Sequence, residues 1–382
     1  MSGHIRRRGE RSWELKYEAG TDPGTGLRLT KYRSFKGTKR EAQAELVRLL
    51  ETVRLGDHVD ASKMTLAEYL DRWEAGWAAT QVGPKTRERY VELLRLHVRP
   101  HIGALPLHKL QLVHLTDLYG QLLRQDAAGL SPRTVGHVHR VIHKTLNVAV
   151  EWKLLTRNVA TNAKPPKVQA REIEILGVEQ AQKILQALRG NSGLYPIIMA
   201  ALATGMRRGE LLALRWSDVD YLGGKVRVER SIEQTASGLR IKEPKTKHGR
   251  RNIKVPPSVL TELKAHWKDQ QEQRLKLGLG RSGDDDLVFA DWDGSVRNPN
   301  VTTRQWFRAL AQFKLPAISL HALRHTHASQ LIAAGLDVLT ISRRLGHASP
   351  TITLNVYGHL FSNSDDRAAD VVEAAFGKAL TE

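Results

Sequence analysis

The sequence predicts a multidomain protein with a small N-terminal β-sheet plus helix, an all-α middle domain, and a mainly helical α+β C-terminal domain with a small antiparallel sheet. Three observations predict this fold class. The chain has 382 residues, which corresponds to two or three domains at about 100–200 residues per domain. Apolar and polar residues alternate with period two near the start and again after residue 220, which predicts strands. Amphipathic stretches punctuated by proline and glycine predict helices elsewhere.

Residues 1–56 form the first predicted domain. Trp13–Tyr17 alternates apolar and polar side chains, as does the stretch at 27–32, so each predicts a strand. Thr38–Glu41 has the composition and spacing of a capping box, which predicts that a helix begins there and continues over 42–53. The first domain is therefore expected to contain short strands followed by one helix.

Residues 62–160 form the second predicted domain. A further capping box, Thr65–Glu68, opens a region of helical periodicity. Proline and glycine residues at 84, 100–106 and 129–132 divide that region into four or five helices. The segment at 163–168 has two prolines between lysines and predicts a stiff linker to the third domain.

Residues 170–382 form the third predicted domain, in which helices surround a small antiparallel sheet. Three short segments alternate apolar and polar residues, at 226–228, 239–241 and 252–255. The last two flank a turn-rich basic segment at 244–251, which predicts a hairpin with that basic segment at its tip.

The composition excludes several classes of protein. The chain has no cysteine, which removes disulfides, zinc ribbons and thiol catalysis. No apolar run approaches the roughly 20 residues that span a bilayer, and the first ten residues lack the apolar core of a secretory signal. We therefore expect a cytoplasmic protein with no membrane partner.

The net charge indicates a polyanionic partner. Lys and Arg number 59 against 40 Asp and Glu, a net charge of +19, and each predicted domain carries part of the excess. This spread favours nucleic acid, whereas a merely basic protein or an anionic-lipid binder is the alternative. An oligomerisation cap is a second interpretation of the N-terminal domain. The arginines expected to contact DNA are Arg6, Arg7, Arg8, Arg87, Arg133 and Arg140.

Two motifs of the third domain offer cations to a phosphate. A glycine-containing turn precedes Arg207, which would lie at a helix start where anions are favoured, and Glu210 follows on the same helical face. The basic segment at 244–251 contains Lys245 and Lys247. Taken alone, the first motif is more typical of a surface ion pair and the second of a solvated loop.

Two later motifs add histidine, arginine and tyrosine. His321 and Arg324 are three residues apart, so on a helix they can converge on one phosphate. His321 and His325 also have zinc-ligand spacing, but an alanine replaces the glutamate of the H-E-x-x-H motif. His347 follows a glycine, and Tyr357 lies ten residues later. By themselves such residues usually belong to turns or to the core.

The order of these elements resembles the tyrosine recombinase (phage integrase-type) family: arginine, hairpin lysine, His-x-x-Arg, Gly-His and tyrosine. The resemblance covers about 170–360. It extends less specifically to that family's core-binding domain, at 62–160, and to its arm-type DNA-binding domain, at 1–56, as in three-domain integrases of temperate phages and mobile elements. It implies a site-specific recombinase that integrates and excises DNA through a Holliday junction.

The resemblance also implies a role for each residue. Tyr357 would be the nucleophile and leave a 3′-phosphotyrosyl link. Arg207 and Arg324 would hold the non-bridging oxygens, a geometry that suits guanidinium groups. Lys245, or its rival Lys247, would be the general acid. His321 would assist proton transfer at the tyrosine hydroxyl, and His347 would donate a hydrogen bond to the phosphate. Glu210 would support Arg207.

The same resemblance implies what else the protein needs. Neither a divalent metal nor ATP is expected, because arginine, lysine and histidine supply the positive charge, and neither a metal-spaced acidic cluster nor a P-loop motif accompanies them. The expected partners are double-stranded DNA attachment sites, further copies in a homotetramer, a host architectural protein and a directionality factor. An apolar stripe within 365–380 would pass to a neighbouring subunit, unless it packs on its own domain.

Two other functions fit parts of the sequence. A type IB topoisomerase-like enzyme would share the chemistry but would need no synapsis. A non-catalytic regulator would use 330–347 as a helix-turn-helix. The recombinase interpretation explains more of the chain than either alternative.

Overall fold

The computed structural model describes residues 3–21, 28–54, 64–124, 129–169, 173–191, 193–244, 249–361 and 369–376. The chain divides into two compact units, Met1–Gln169 and Ala170–Glu382. Each unit has its own buried apolar clusters. Among the described residues, no helix is long and apolar enough to cross a membrane.

The first unit begins with a three-stranded antiparallel sheet of order β1-β2-β3. Its strands are β1 (Gly3–Gly9), β2 (Ser12–Thr21) and β3 (Arg28–Lys36), and helix α1 (Lys39–Arg54) follows. The capping box is confirmed: the Thr38 backbone N–H donates to Glu41 Oε2 at 2.8 Å, and the Glu41 N–H donates to Thr38 Oγ1 at 3.3 Å. The apolar face of the sheet packs against α1 through Leu15, Tyr17, Ala42, Leu46 and Leu49.

The sequence did not predict β1, which contains Arg6, Arg7 and Arg8. The strand lacks alternating apolar residues, and it exists because its backbone pairs with β2, with Ile5 opposite Leu15 and Arg7 opposite Trp13. Pairing between strands is a tertiary interaction, so local periodicity could not reveal it.

The rest of the first unit is helical. Its helices are α2 (Leu66–Ala75), α3 (Trp77–Gln81), α4 (Pro84–His97), α5 (Arg99–Ile102), α6 (Leu112–Arg124) and α7 (Pro132–Glu151). The second predicted capping box is confirmed between Thr65 and Glu68. Pro84 and Pro132 begin their helices, where a missing N–H costs nothing. Leucine, valine and aromatic side chains from these helices form one buried cluster.

The second unit contains helices around two small sheets. Its helices are α8 (Val178–Leu188), α9 (Tyr195–Thr204), α10 (Arg208–Leu212), α11 (Pro257–Lys276), α12 (Pro299–Gln312), α13 (Leu320–Ala333), α14 (Val338–Leu345), α15 (Pro350–Tyr357) and, at 369–376, α16. Its strands are β4 (Val219–Asp220), β5 (Lys225–Val228), β6 (Ser231–Thr235), β7 (Gly238–Lys242) and β8 (Arg251–Lys254).

The strand pairing corrects the predicted hairpin. The two segments that flank the basic stretch do not pair with each other: β7 pairs with β6, and β8 pairs with β5. A short turn that ends at Gly238, whose φ is +121°, closes β6 onto β7. β8 instead pairs with β5, so the two predicted partners lie in different sheets. The basic segment therefore connects two sheets instead of forming the tip of one hairpin.

Candidate active site

One cleft in the second unit, of about 480 Å³, brings together residues from distant parts of the sequence. Helices α13 and α15, the turn between α9 and α10, and the loop before α15 contribute its walls. The predicted residues that line it are Arg207, Glu210, His321, Arg324, His347 and Tyr357.

The turn before Arg207 requires glycine. Gly205 ends α9 in the left-handed region, at φ 65° and ψ 17°, where a side chain is strained. A Cβ atom there would also lie 2.6 Å from Cδ2 of His327 and 3.0 Å from a methyl group of Leu345. The turn reverses the chain tightly against α13, so Arg207 becomes the residue before α10 and lies beside the cleft.

Arg207 is held by a buried carboxylate. Its Nη1 donates to Glu210 Oε1 at 2.7 Å, its backbone N–H donates to Glu210 Oε2 at 2.9 Å, and its Nη2 donates to the Gly346 carbonyl at 3.1 Å. Burial would raise the pKa of Glu210, but the hydrogen bond and charge of Arg251 and the charge of Arg207 outweigh burial and lower it. Glu210 is therefore a carboxylate that fixes the guanidinium of Arg207.

Arg324 is buried next to this pair, with 3% of its surface exposed. Its Nη1 donates to the Gly205 carbonyl and its Nη2 to the Leu345 carbonyl, both at 2.7 Å. Burial, and then the charge of Arg207, lower the pKa of Arg324 to about 9, so the group is still a cation at neutral pH. Two guanidinium groups held partly by neutral carbonyls leave positive charge at the cleft, which suits an anionic ligand.

Tyr357 ends α15 with 1% of its surface exposed, and burial raises its pKa to about 12. Its hydroxyl is hydrogen-bonded to Nδ1 of His325 at 2.8 Å. Within the described residues it is His325 that makes this bond, and the proton-transfer role implied for His321 stays a prediction. The reason is helical geometry, since His325 lies one turn further along α13, and the His321 ring packs edge-on against it with centroids 4.7 Å apart.

His347 follows Gly346, which ends α14 in the left-handed region at φ 67°. The ring is buried, and its Nδ1 is hydrogen-bonded to Thr353 Oγ1 at 2.8 Å. Burial, and then the charges of Arg324 and Arg207, lower the pKa of His347 to about 4. The imidazole is therefore neutral at physiological pH.

The predicted lysines Lys245 and Lys247 lie outside the described residues. The described residues on either side, Pro244 and Gly249, both line the cleft. Lys242 lines it as well, and its ammonium is paired with Glu233.

Two residues of the site were missed in the sequence, although each left a signal. His325 shares a helical face with His321 and Arg324, because the three occupy positions i, i+3 and i+4. Arg251 lies on the same face of its strand as Ile253, which is buried, since side chains two apart point the same way. A charged residue on an apolar strand face indicates a buried partner, here Glu210 at 2.8 Å.

The structure adds no third ligand to the His321–His325 pair within the described residues. Among the residues that the structure describes, no group of three or more histidine, aspartate or glutamate side chains is arranged to hold a metal ion. The His321–His325 pair instead packs ring against ring beside Tyr357.

The arginines expected to contact DNA are all exposed. On the sheet, Arg6 pairs with Glu14 and Lys16 with Tyr32 across the strands, so these side chains share the face opposite α1. Arg8 forms an ion pair with Glu14 at 2.9 Å. In the helical part, Arg87 lies on α4, and Arg133 and Arg140 lie on α7.

The chain matches two known sequence families. Residues 174–364 match the model of the phage integrase family, and residues 65–123 match the model of the phage integrase N-terminal SAM-like domain. Similar curated proteins include an integrase of Streptomyces ambofaciens, which is 30% identical over 353 residues, 90% of this chain and 88% of that protein. The ICEBs1 integrase of Bacillus subtilis is 28% identical over 94% of this chain and 96% of its own length. A tyrosine recombinase XerC-like protein of Caldanaerobacter subterraneus is 28% identical over 91% and 93%.

Solved structures show the same fold. The Tn1549 transposon integrase in complex with transposon right end DNA superposes with a TM-score of 0.66 at 21% identity and covers 82% of this chain and 100% of that one. The lambda integrase tetramer bound to a Holliday junction superposes with a TM-score of 0.55 at 19% identity and covers 91% and 92%.

Proposed function

The chain belongs to the phage integrase family, and on this basis we propose that it is a site-specific DNA recombinase that works through a 3′-phosphotyrosyl intermediate. One observation carries the assignment to this cleft: the guanidinium groups of Arg207 and Arg324 and the hydroxyl of Tyr357 line the same space. A phosphodiester bound by the two arginines would lie beside a tyrosine, and that is the arrangement which transfer of a DNA strand to protein needs.

The reaction exchanges one phosphodiester bond for another. The Tyr357 oxygen attacks the phosphorus, the bond to the 5′ oxygen breaks, and the tyrosine proton is released to a base in the cleft. Lys245, or its rival Lys247, gives a proton to the departing 5′ oxygen. A 5′-hydroxyl from the partner duplex then reverses the reaction, which reseals the strand and passes through a Holliday junction.

Arg207 and Arg324 act on the charge that develops in this reaction. Each guanidinium is held by fixed acceptors, so both can stabilise the non-bridging oxygens without reorganising. His347 can add a donor to the same phosphate, and His321 lies at the exposed edge of the cleft. These groups supply the positive charge, so we expect the reaction to proceed without a divalent metal or ATP.

Tyr357 must change its surroundings before it attacks. Its hydroxyl is buried, and burial raises its pKa to about 12, which favours the neutral phenol. His325 is hydrogen-bonded to that hydroxyl at 2.8 Å and is neutral at physiological pH, because burial lowers its pKa to about 4, so we assign it as the base that accepts the tyrosine proton.

We assign three parts of the chain to three roles: 1–56 to arm-type DNA sites, 62–160 to the core site, and 170–382 to catalysis. The exposed face of the N-terminal sheet carries Arg6 and Lys16, and strands of this kind can enter a DNA groove. The exposed arginines of α4 and α7 would contact backbone phosphates of the core site.

The last helix supports assembly into a homotetramer on DNA. Every residue of α16 is exposed, including Val371 and Phe376 with 63% and 59% of their surfaces accessible. An apolar stripe exposed in this way suits contact with a neighbouring subunit. We infer that the helix is exchanged in trans, as expected for a synapse.

Relatives named as the ICEBs1 integrase of Bacillus subtilis and as integrases of Streptomyces ambofaciens and of Mycobacterium phage L5 support integration and excision of a mobile element. The DNA partners would be attachment sites, with a host architectural protein and a directionality factor as accessory proteins. Because these substrates are chromosomal, we expect the protein to act in the cytoplasm of a bacterial host.

The helix-turn-helix alternative is disfavoured by what that segment binds. On α14, Arg344 points inward, where its Nε donates to His327 Nε2 at 2.9 Å and its Nη2 to the Ala203 carbonyl at 3.2 Å. The segment thus packs within its own unit, and the residues that follow it, Gly346 and His347, line the cleft. A topoisomerase-like enzyme would share the cleft. It would cleave DNA at scattered positions, whereas a site-specific recombinase would cleave at one or a few sequences.

The test is covalent capture in EDTA. Wild-type protein and the Tyr357→Phe variant are incubated with sheared host DNA, with and without the element's DNA, and the DNA that stays attached after detergent is sequenced. We expect tyrosine-dependent capture at one or a few sites. Tyr221→Phe, which removes a hydroxyl remote from the cleft, should capture as wild type does. Scattered capture would favour the topoisomerase, and equal capture by Tyr357→Phe would contradict the nucleophile.

A further inference from the structure

Arg251 is a buried arginine that the chemistry above does not use. It begins β8, and only 6% of its side chain is exposed. Its guanidinium makes three contacts: Nη2 donates to Glu210 Oε2 at 2.8 Å, Nε to the Arg344 carbonyl at 2.7 Å, and Nη1 to the Gly249 carbonyl at 3.1 Å. The planar, forked guanidinium satisfies these three acceptors at once.

The contact with Glu210 connects Arg251 to the cleft. The two carboxylate oxygens of Glu210 are shared, one with the side chain of Arg207 and the other with Arg251. Glu210 and Arg251 are 4% and 6% exposed, so solvent screens this pair little, whereas the Arg207 side chain is 41% exposed at the cleft. Around Glu210 stand three cations, Arg207, Arg251 and Arg324, against one anion, which leaves two positive charges.

Two positive charges match the charge that the proposed reaction develops. A phosphodiester carries one negative charge, and as a fifth oxygen adds, the charge on its non-bridging oxygens rises toward two. Without Arg251, Glu210 would neutralise Arg207 and leave one positive charge. The enzyme would then bind the ground state but stabilise the transition state less.

The charge of Arg251 reaches the cleft. After burial and the charge of Arg207, it is among the groups that lower the pKa of Arg324. It acts in the same direction on His347, again after burial and the charges of Arg324 and Arg207. Its field therefore acts on the groups that would face the phosphate.

We propose that Arg251 is a positioning residue that neutralises Glu210, so that Arg207 can direct its full charge to the scissile phosphate. Arg251 does this without touching DNA. The proposal rests on the recombinase function proposed above.

The experiment compares Arg251→Met with wild type in two cleavage assays. On an ordinary attachment-site duplex, we expect covalent-complex formation to fall by about 100-fold, with DNA affinity changed less than about threefold. The second substrate carries a methylphosphonate at the scissile position, in both stereoisomers, which removes one negative charge from the transition state. There we expect the deficit of Arg251→Met to shrink to less than about tenfold for at least one isomer.

Two further variants separate charge from packing. In the double variant Arg251→Met, Glu210→Gln, the anion is removed together with its cation, so we expect cleavage of ordinary DNA to recover at least about tenfold over Arg251→Met. Arg251→Lys keeps the charge but not the fork, and should cleave within about tenfold of wild type. Lys254→Met, an exposed position on the same strand, is the matched control and should cleave normally.

Several results would overturn the proposal. These are equal deficits on both substrates, no recovery in the double variant, or a loss in Arg251→Lys as large as in Arg251→Met. If Arg251→Met does not fold, the double variant and Arg251→Lys decide between charge and packing. Failure of the underlying function looks different, since wild type itself would then form no tyrosine-dependent complex.

Discussion

At the scale of single residues, the cleft is built from buried charges and neutral histidines. Arg324 and Glu210 are nearly inaccessible to solvent, and such groups are stable only because each has partners of opposite charge or carbonyl acceptors. Below the cleft, His327 accepts from Arg344 through Nε2, so its Nδ1 must carry the proton that it shares with the Leu202 carbonyl at 2.8 Å. The histidines therefore act as neutral connectors, and their protonation would break the network.

We predict that the second unit loses stability in mild acid. Burial is the main cause that lowers the pKa of His325, His327 and His347 to about 4 each. A nearby side chain adds to it in each case: His321 for His325, Arg344 for His327 and Arg324 for His347. Unfolded histidine titrates near 6.5, so between pH 6.5 and 4 the unfolded chain binds more protons and the free energy of unfolding falls. The slope is at most about 1.4 kcal/mol per pH unit for each histidine.

Urea denaturation at pH 7, 6 and 5 measures this slope. Glutamine at position 327 can accept from Arg344 and donate to Leu202 without titrating, so His327→Gln should unfold with a shallower pH dependence than wild type. His108→Gln, an exposed histidine of the first unit, should leave the slope unchanged. Identical slopes for wild type and His327→Gln would contradict the assignment.

At the scale of elements, the turns between helices position the site. Gly205 and Gly346 both end their helices in the left-handed region, and their carbonyls accept from Arg324 and Arg207. The glycines therefore do two jobs, since they reverse the chain and present an acceptor to a guanidinium. The capping boxes at Thr38 and Thr65 serve only the helices that they begin.

A pair of Gly→Ala substitutions tests this difference. Gly205→Ala combines a left-handed backbone with a contact at 2.6 Å, so we expect the free energy of unfolding to fall by about 2–5 kcal/mol. Gly136→Ala, inside α7 with nothing within 4 Å of the new Cβ, should instead raise it by about 0.5–1 kcal/mol. Chemical denaturation of the two variants gives both values, and a neutral Gly205→Ala would show that the turn can relax.

At the scale of the whole molecule, cleavage should depend on assembly, because the apolar side chains of α16 are exposed in the part of the chain that the structure describes. Apolar side chains contribute to stability only when they are buried, and contact with a neighbouring subunit would bury this stripe. The proposed exchange would link the nucleophile, which lies shortly before α16 in sequence, to the presence of a second subunit.

We predict that polar substitution of α16 separates folding from synapsis. In the double variant Val372→Asp, Phe376→Asp, both side chains are exposed, so the free energy of unfolding should change by less than about 0.5 kcal/mol. Synaptic complexes on paired attachment sites, measured by native gel shift, should fall at least about tenfold. Leu222→Asp, at an exposed turn, is the control that should assemble normally. Normal synapsis by the α16 variant would contradict exchange in trans.

The sequence by itself determined the family and the order of chemical motifs. It also determined most helices, because capping boxes and prolines are local signals. The helices capped by Thr38 and Thr65, and those that begin at Pro84 and Pro132, formed where these signals predicted them, and tertiary contacts did not change that. Only the tertiary structure decided the pairing of β7 with β6, the place of Arg6–Arg8 on a strand, the bond from His325 to Tyr357, and the burial of Arg251 against Glu210. These features depend on contacts between segments far apart along the chain, and neither residue spacing nor local periodicity carries information about which distant group a side chain will meet.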